Sequence, residues 1–437
     1  MSNVTHTALN RSVTTPALFA FILGDVLGAG VYVLVGVIAA ASGGAVWVPL
    51  LVALVMALLT AGSYAELATK YPRAGGSSHY ANRAFGPFAG FLIGYCMLAA
   101  GIVSVGALAL GFAGDYLGEF LTLPVPVTVI VFLGLLAALN AFGIKESLFA
   151  NIIATIIEVG GLVLVVVLGF MVIARGDADP SRLTQLGTTE NGPLAAVLAG
   201  TVLAYYSYVG FETSVNVAEE TKDPARSYPR ALFGALLVAG LVYVGVGVAA
   251  SAIVPTDRLA ASTGPLLEVV RAAGGVPPVL FSVIALVAVA NGALLTGIMG
   301  SRLAYGMSRD RLLPSFLSKV LPGRKTPWLA IVVTTGLSVV LALLGSIEVL
   351  ASTLVLLLLV VFTAVNAAVL VLRKDAVAHK HYRVPRVLPV LGIASCVLLA
   401  TQVEGETWLF GLPMLALGGL LALFARRNVR ATARAEA

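Results

Sequence analysis

Gly24-Asp25-Val26-Leu27-Gly28-Ala29-Gly30 lies within an apolar run, residues 16–40, that is long enough to cross a bilayer. Glycine costs about 1 kcal/mol against alanine in a helix interior. An aspartate at membrane depth costs about 2.5–3.5 kcal/mol even on the mildest scale. A first span that keeps both is expected to leave backbone unwound there. In lipid, unwound backbone is tolerated only where it lines a cavity inside the protein. The stretch therefore reads as half of a binding site near mid-membrane.

Composition supports a membrane frame. Of 437 residues, 59% are hydrophobic and 11% are charged, against about 25% charged in soluble domains. Ten to twelve crossings of about 20 residues fit this length, with no room for a sizeable soluble domain. The formal charge of +6 is thus no nucleic-acid footprint. Cys96 and Cys396 sit in apolar runs and read as reduced, small hydrophobes. The first apolar run is too long for a signal-peptide core and lacks a cleavage pattern, so it is expected to be retained. The sequons at Asn3 and Asn10 read as chance, because that end is expected to face the cytoplasm.

Twelve spans are predicted: 16–40, 45–69, 86–114, 125–142, 147–174, 194–218, 229–254, 278–306, 327–345, 348–372, 387–403 and 407–425. Residues 70–85, with Lys70, Arg73 and Arg83, are read as a loop. With the N-terminus inside, 23 of the 27 Lys and Arg fall in cytoplasmic segments, and only Arg175, Arg182, Arg258 and Arg271 fall outside. That alternation follows the positive-inside rule and puts both termini in the cytoplasm.

Span 6 repeats the oddity of span 1. It reads Tyr205-Tyr206-Ser207-Tyr208-Val209-Gly210-Phe211-Glu212, with a glycine and an acid among aromatics. Two interrupted helices, five apart and of opposite direction, mark an inverted 5+5 repeat with a site between its halves. The expected organisation is an N-terminal tail (1–15), a first five-helix repeat (16–174), a second (194–372), two added helices (387–425) and a C-terminal tail (426–437).

Three of the 21 acids lie within spans: Asp25, Glu158 and Glu212. No Lys or Arg sits at comparable depth to pair with them. A carboxyl in such an interior must be protonated, hydrogen-bonded or holding a cation. Each option points to handling of a proton, a metal ion or an amine; interior hydrogen-bonded glue is the structural alternative. Gly28, Ala29 and Gly30 offer backbone N–H groups where a half-helix begins, an end suited to a carboxylate. Carbonyls freed near Val26 and at Tyr208–Val209 are candidates for an ammonium group. Carboxylate and ammonium together describe an α-amino acid. Tyr206 is expected to face the cavity as a gate or stacking surface, with packing the alternative. Asn291 and Thr296 in span 8 are candidate substrate or ion contacts, or polar glue between helices.

The four histidines show no metal-ligand spacing, and no nucleophile–base pair, phosphate-cradling loop or ATP-binding domain is legible. No cofactor, resident metal or enzymatic reaction is expected. Channel function is disfavoured because two differing broken helices suit alternating access.

The chain resembles the amino acid–polyamine–organocation (APC) transporter superfamily, with the leucine-transporter-like fold, over about residues 15–426. The resemblance rests on Gly24 through Tyr32; on Glu66-Leu67 through Tyr71-Pro72-Arg73-Ala74-Gly75-Gly76 to Tyr80; on Tyr208 through Glu212, with Glu219-Glu220, Asp223-Pro224 and Pro229-Arg230-Ala231; and on Ser301-Arg302 through Met307-Ser308-Arg309-Asp310 to Leu313-Pro314. It implies that Val26, Ala29, Gly30, Tyr206, Ser207 and Val209 face the substrate and that Tyr206 sits where relatives place an aromatic gate. Some proton-coupled relatives carry a lysine mid-way along span 5. This chain has Glu158 there, which reverses the charge logic, so lysine-type coupling does not carry over. Val31 stands where sodium-dependent relatives often place asparagine. The expected function is a secondary active transporter of an amino acid or related amine in the plasma membrane, proton-coupled and directed inward. An exchanger or exporter is the alternative, and a non-transporting nutrient sensor is a weaker one.

Overall fold

Apolar runs bounded by proline, glycine and charge become helices throughout a computed structural model, which describes residues 13–72, 76–142, 147–189, 191–321, 323–324 and 326–435. The sequons at Asn3 and Asn10 and the charges Arg11, Arg73, Lys145 and Lys325 lie outside the described residues. No strand occurs among the described residues; one isolated bridge joins Val13 to Thr221.

The first span is two helices, α1 (Thr15–Val26) and α2 (Gly30–Ser42), bent by 47° at the glycine-rich break. α3 (Trp47–Lys70) follows. The segment read as a loop is a correction: it contains α4 (Gly76–Phe85), a short amphipathic helix that buries Gly76, Ser77, Tyr80 and Ala81. Its polar composition hid it among the loop charges. Then come α5 (Pro87–Phe112), a single turn α6 (Asp115–Gly118), α7 (Val125–Phe142) and α8 (Ser147–Arg175). Span 6 is α9 (Pro193–Ser207), which gives way to a 3-10 segment, Phe211–Glu220.

α10 (Pro224–Ile253) leads to two short helices, α11 (Thr256–Ala261) and α12 (Pro265–Ala273), then α13 (Pro278–Arg309). α14 (Trp328–Leu344), α15 (Ile347–Leu372), α16 (Val387–Ala400) and α17 (Gly405–Ala435) complete the chain. α17 runs on to Ala435, into the stretch expected as the C-terminal tail, where alanines and arginines favour helix.

Nine of the described helices are long and apolar enough to cross a membrane, and the bent α1–α2 pair makes ten. α14 and α16 are apolar but shorter, and they occupy the positions of predicted spans 9 and 11. Large apolar side chains face outward: Leu135 is 61% exposed, Ile156 67% and Leu241 75%. Exposed apolar surface on that scale suits lipid as the surrounding solvent.

Burial runs the other way around the breaks. α2, α3, α5 and α15 pack at the centre, and Tyr32, Tyr64, Tyr205, Tyr208 and Tyr243 are essentially inaccessible. Several polar groups between α3, α15 and the chain beyond them are paired, as the cost of an unmade hydrogen bond favours. Glu66 takes a fork of two bonds from Arg373, at 2.8 and 3.1 Å, and the Val384 N–H at 2.9 Å. Ser63 and Thr60 of α3 bond the Asn366 amide of α15.

Outside the spans, Asp375 accepts from the Tyr71 hydroxyl at 3.0 Å and pairs with Arg83 at 3.2 Å. The tyrosine bond, aided by Arg83, holds this carboxyl below its ordinary range. Through that pair α4 is tied to the chain that follows α15.

Candidate functional site

The break in span 1 closes on itself. Leu27 N–H bonds the Leu23 carbonyl and Gly28 N–H bonds the Val26 carbonyl at 2.7 Å, ending α1. The Tyr243 hydroxyl of α10 donates to the same Val26 carbonyl. Both lone pairs of that oxygen are therefore in use. The carbonyl of Val26 itself thus already has two donors. The first N–H groups of α2, from Gly30 onward, have no intrahelical acceptor and carry the positive end of its dipole.

The second break turns more sharply. α9 ends at Ser207, and Tyr208 and Val209 N–H groups bond the carbonyls of Tyr205 and Tyr206. Gly210 then takes φ of +129°, a conformation that residues with a Cβ rarely adopt. A Cβ at Gly210 would also sit 2.6 Å from the Asp25 carbonyl oxygen. Glycine is thus required twice, by its torsion and by the contact of one break with the other.

Two of the three acids within spans lie at that contact. Asp25 Oδ2 accepts from the Thr213 hydroxyl, and Glu212 Oε2 accepts from the Gly210 N–H at 2.9 Å. The Asp25 bond joins the two breaks, and the Glu212 bond lies within the second.

Both breaks line one cavity of about 470 Å³. Val26, Gly28, Ala29 and Gly30 contribute from span 1, and Tyr206, Ser207, Val209 and Gly210 from span 6. Asp25, Glu158, Glu212, Asn291 and Thr296 are on its wall as well. Among the candidate residues, Tyr208 alone is off the lining. It is fully buried, its hydroxyl donates to the Leu50 carbonyl at 2.9 Å, and its ring packs edge-on against Tyr243. Tyr208 is a packing residue because the tightened turn after Ser207 rotates it away from the cavity.

Tyr206 does face the cavity. Its ring lies on Gly30, and its hydroxyl hydrogen-bonds Ser104 Oγ of α5 at 2.8 Å. Ser207 Oγ, on the same lining, is buried with no hydrogen-bond partner.

Glu158 is 2% exposed, and its Oε1 also has no hydrogen-bond partner. Its backbone carbonyl accepts from the Tyr32 hydroxyl at 2.5 Å, which ties α8 to the first turn of α2. Asn291 of α13 interacts with its carboxyl. The next residue, Gly292, packs so close to the break that a Cβ there would lie 3.0 Å from Ala29 Cβ.

Sequence reasoning missed three contributors. α5 supplies Met97, Gly101 and Ser104, α4 supplies Gly76, Ser77 and Ser78, and α13 adds Arg302. Arg302 Nη1 donates to the Ile298 carbonyl, and no carboxylate pairs with it among the described residues. The glycines and hydroxyls of α5 were a signal, since small polar residues mark close approach in membrane helices. Which of them face the cavity needed the packing.

The opposite end of the bundle is closed. Asp115 Oδ2 accepts from Ser262 Oγ and from the Thr263 and Gly264 N–H groups. Arg271 pairs with Glu119 and with Glu268, and Arg258 pairs with Glu268. These bonds clamp α11 and α12 over α6.

Comparison with known proteins gives a consistent picture. The sequence pattern described as amino acid permease matches residues 13–417. An uncharacterized transporter of Mycobacterium tuberculosis is 32% identical over 94% of this chain and 90% of its own length. A branched-chain amino acid permease, BcaP, of Bacillus subtilis is 29% identical over 93% of this chain and 91% of its own. The vacuolar cationic amino acid transporter 4 of Arabidopsis thaliana is 32% identical over 84% of this chain and 64% of its own.

Proposed function

The chain belongs to the amino acid permease family, and from that premise we propose that it is a secondary active transporter of an amino acid or related amine, working by alternating access in the plasma membrane with proton-coupled uptake. The observation that carries this reading is the meeting of both helix breaks on one cavity of about 470 Å³, a volume in the range of small-molecule sites. The N–H groups at the start of α2 receive the substrate carboxylate. Tyr206 covers the substrate, with its hydroxyl held by Ser104. The side chain extends toward Met97, Leu295, Thr296 and Met299 on α5 and α13.

That wall is mostly apolar, which favours a neutral amino acid. The named activity of the Bacillus subtilis relative, a branched-chain amino acid permease, agrees with it. The cavity also reaches Ser77, Ser78 and Arg302, at the end of the bundle expected to face the cytoplasm, while the clamp over α6 closes the other end. This arrangement corresponds to an inward-facing state with twelve crossings, α14 and α16 included, and both termini inside.

Purified protein in proteoliposomes provides the test. Labelled leucine should enter against its gradient when the outside is acidified, and should exchange with unlabelled leucine preloaded inside. Exchange without accumulation would replace uptake by the exchanger reading. Binding with neither exchange nor accumulation would leave a sensor.

A further inference from the structure

Among the described residues, two buried carboxyl oxygens have no hydrogen-bond partner, Glu158 Oε1 and Glu268 Oε2. Glu268 Oε2 is ion-paired with Arg258. Glu158 Oε1 is left, on the wall of the cavity, in a side chain 2% exposed. A buried carboxylate oxygen without a partner is costly, and the cost is recovered when a cation takes the empty position. No Lys, Arg or His is paired with Glu158 among the described residues, and Arg302, on the same lining, bonds Ile298 instead.

The surroundings say which cation belongs there. Tyr32, two residues beyond Gly30, bonds the Glu158 carbonyl at 2.5 Å, so the carboxyl belongs to the same corner as the α2 N–H groups. The Val26 carbonyl at this corner already accepts from Gly28 N–H and the Tyr243 hydroxyl. An α-amino acid whose carboxylate rests on α2 has its ammonium two bonds from the carboxylate carbon, on Cα. We infer that Glu158 is a substrate-binding residue whose Oε1 receives the α-ammonium group directly, with the unpartnered Ser207 Oγ as a second polar contact. Asn291 holds the carboxyl in place. The inference rests on the amino-acid reading of the cavity. It gives Glu158 a role in recognition and leaves Asp25 and Glu212, which already have donors of their own, as the coupling groups.

The experiment compares two pairs of probes on the purified full-length protein. These are L-leucine with its 2-hydroxy analogue, and L-arginine with its 2-hydroxy analogue, each pair differing only in ammonium against hydroxyl. Wild type should prefer the amino acid of at least one pair by about 100-fold or more, as expected where a site's hydrogen-bonding group loses its partner. Glu158→Gln should reduce that preference below about tenfold, while Glu158→Asp, which keeps the charge, should retain most of it. A monodisperse Glu158→Gln protein that keeps the full preference overturns the inference. If that variant keeps leucine affinity and loses only pH-driven accumulation, Glu158 carries the proton; the inference is then wrong and the transport reading stands. Wild type that binds neither amino acid overturns the amino-acid reading and the inference with it.

Discussion

The ring of Tyr206 rests on Gly30: a Cβ at residue 30 would lie 2.9 Å from Tyr206 Cδ1 and 3.4 Å from Ser207 Cα. Glycine at this position therefore does two jobs. It lets the first turn of α2 expose its N–H groups, and it admits the aromatic ring of the other broken span. Gly30→Ala should weaken leucine binding at least tenfold while the protein inserts and purifies normally. Truncation of the ring in Gly30→Ala/Tyr206→Leu should relieve the clash and recover thermal stability without recovering affinity. Unchanged affinity in Gly30→Ala, measured by titration, would remove the start of α2 from the site.

Tyr206 and Ser104 join α9 to α5 through their hydroxyls, 2.8 Å apart. Removing one partner leaves the other buried and unpaired, at a cost of about 1–3 kcal/mol. Tyr206→Phe and Ser104→Ala should each lower transport or stability. The double variant should lose less than the sum of the two. Additive losses in a double-mutant cycle would mean that the two hydroxyls act separately.

Gly210 combines a positive φ with the 2.6 Å approach of the Asp25 carbonyl to a Cβ. Gly210→Ala should therefore abolish the contact between the breaks, with loss of transport and a fall in thermal stability of several degrees. Full activity and an unchanged melting temperature would show that the two breaks tolerate separation.

The clamp on the far side makes a conformational prediction. Arg271 bridges Glu119 and Glu268 at the end of α6. Arg271→Ala removes both pairs and leaves two acids facing each other, so the closed end should open more often. Leu108→Cys, a buried position on the cavity lining, should react several-fold faster with a thiol reagent added outside when Arg271→Ala is present. Equal labelling rates would mean that Asp115 alone, through Ser262, Thr263 and Gly264, keeps the end shut.

What the sequence revealed, and what it withheld, divides along physical lines. Broken helices announce themselves, because glycine and an acid inside an apolar run violate helix and membrane preferences at once. Gly28–Gly30 and Gly210 were legible for that reason, as were the three acids of the cavity. The direction of a side chain after a break was not legible. Tyr206 and Tyr208 are two residues apart in one motif, yet the turn sends one to the ligand cavity and the other to the Leu50 carbonyl. The hydroxyl that the Val26 carbonyl accepts from was not legible either, because Tyr243 is 217 residues away. α4 was missed because its amphipathic pattern is short and rich in polar residues. Arg302 counted as a loop charge and stands on the cavity wall, where only packing could bring it.

Energy coupling is the last expectation. Asp25 and Glu212 sit on either side of the joined breaks, each holding one donor across or within them, Thr213 for Asp25 and Gly210 for Glu212. Adding a proton to Asp25 changes a bond that joins the two broken spans, and adding one to Glu212 changes a bond that shapes the turn at Gly210. Proton entry at this point is therefore suited to bias the opening of the cavity. Moving one charge through 100 mV is worth about 2.3 kcal/mol, so roughly 150 mV supplies about 3.5 kcal/mol. At about 1.4 kcal/mol per tenfold, one proton carried with a neutral zwitterion sustains an accumulation of about 300-fold. Asp25→Asn and Glu212→Gln mimic the protonated acids and should retain exchange of internal for external leucine. At least one of them should lose accumulation driven by a pH gradient. Should both variants, and Glu158→Gln with them, accumulate leucine normally under a pH gradient, proton coupling through these carboxyls is wrong. Wild-type uptake that requires sodium and ignores pH would exclude proton coupling as well.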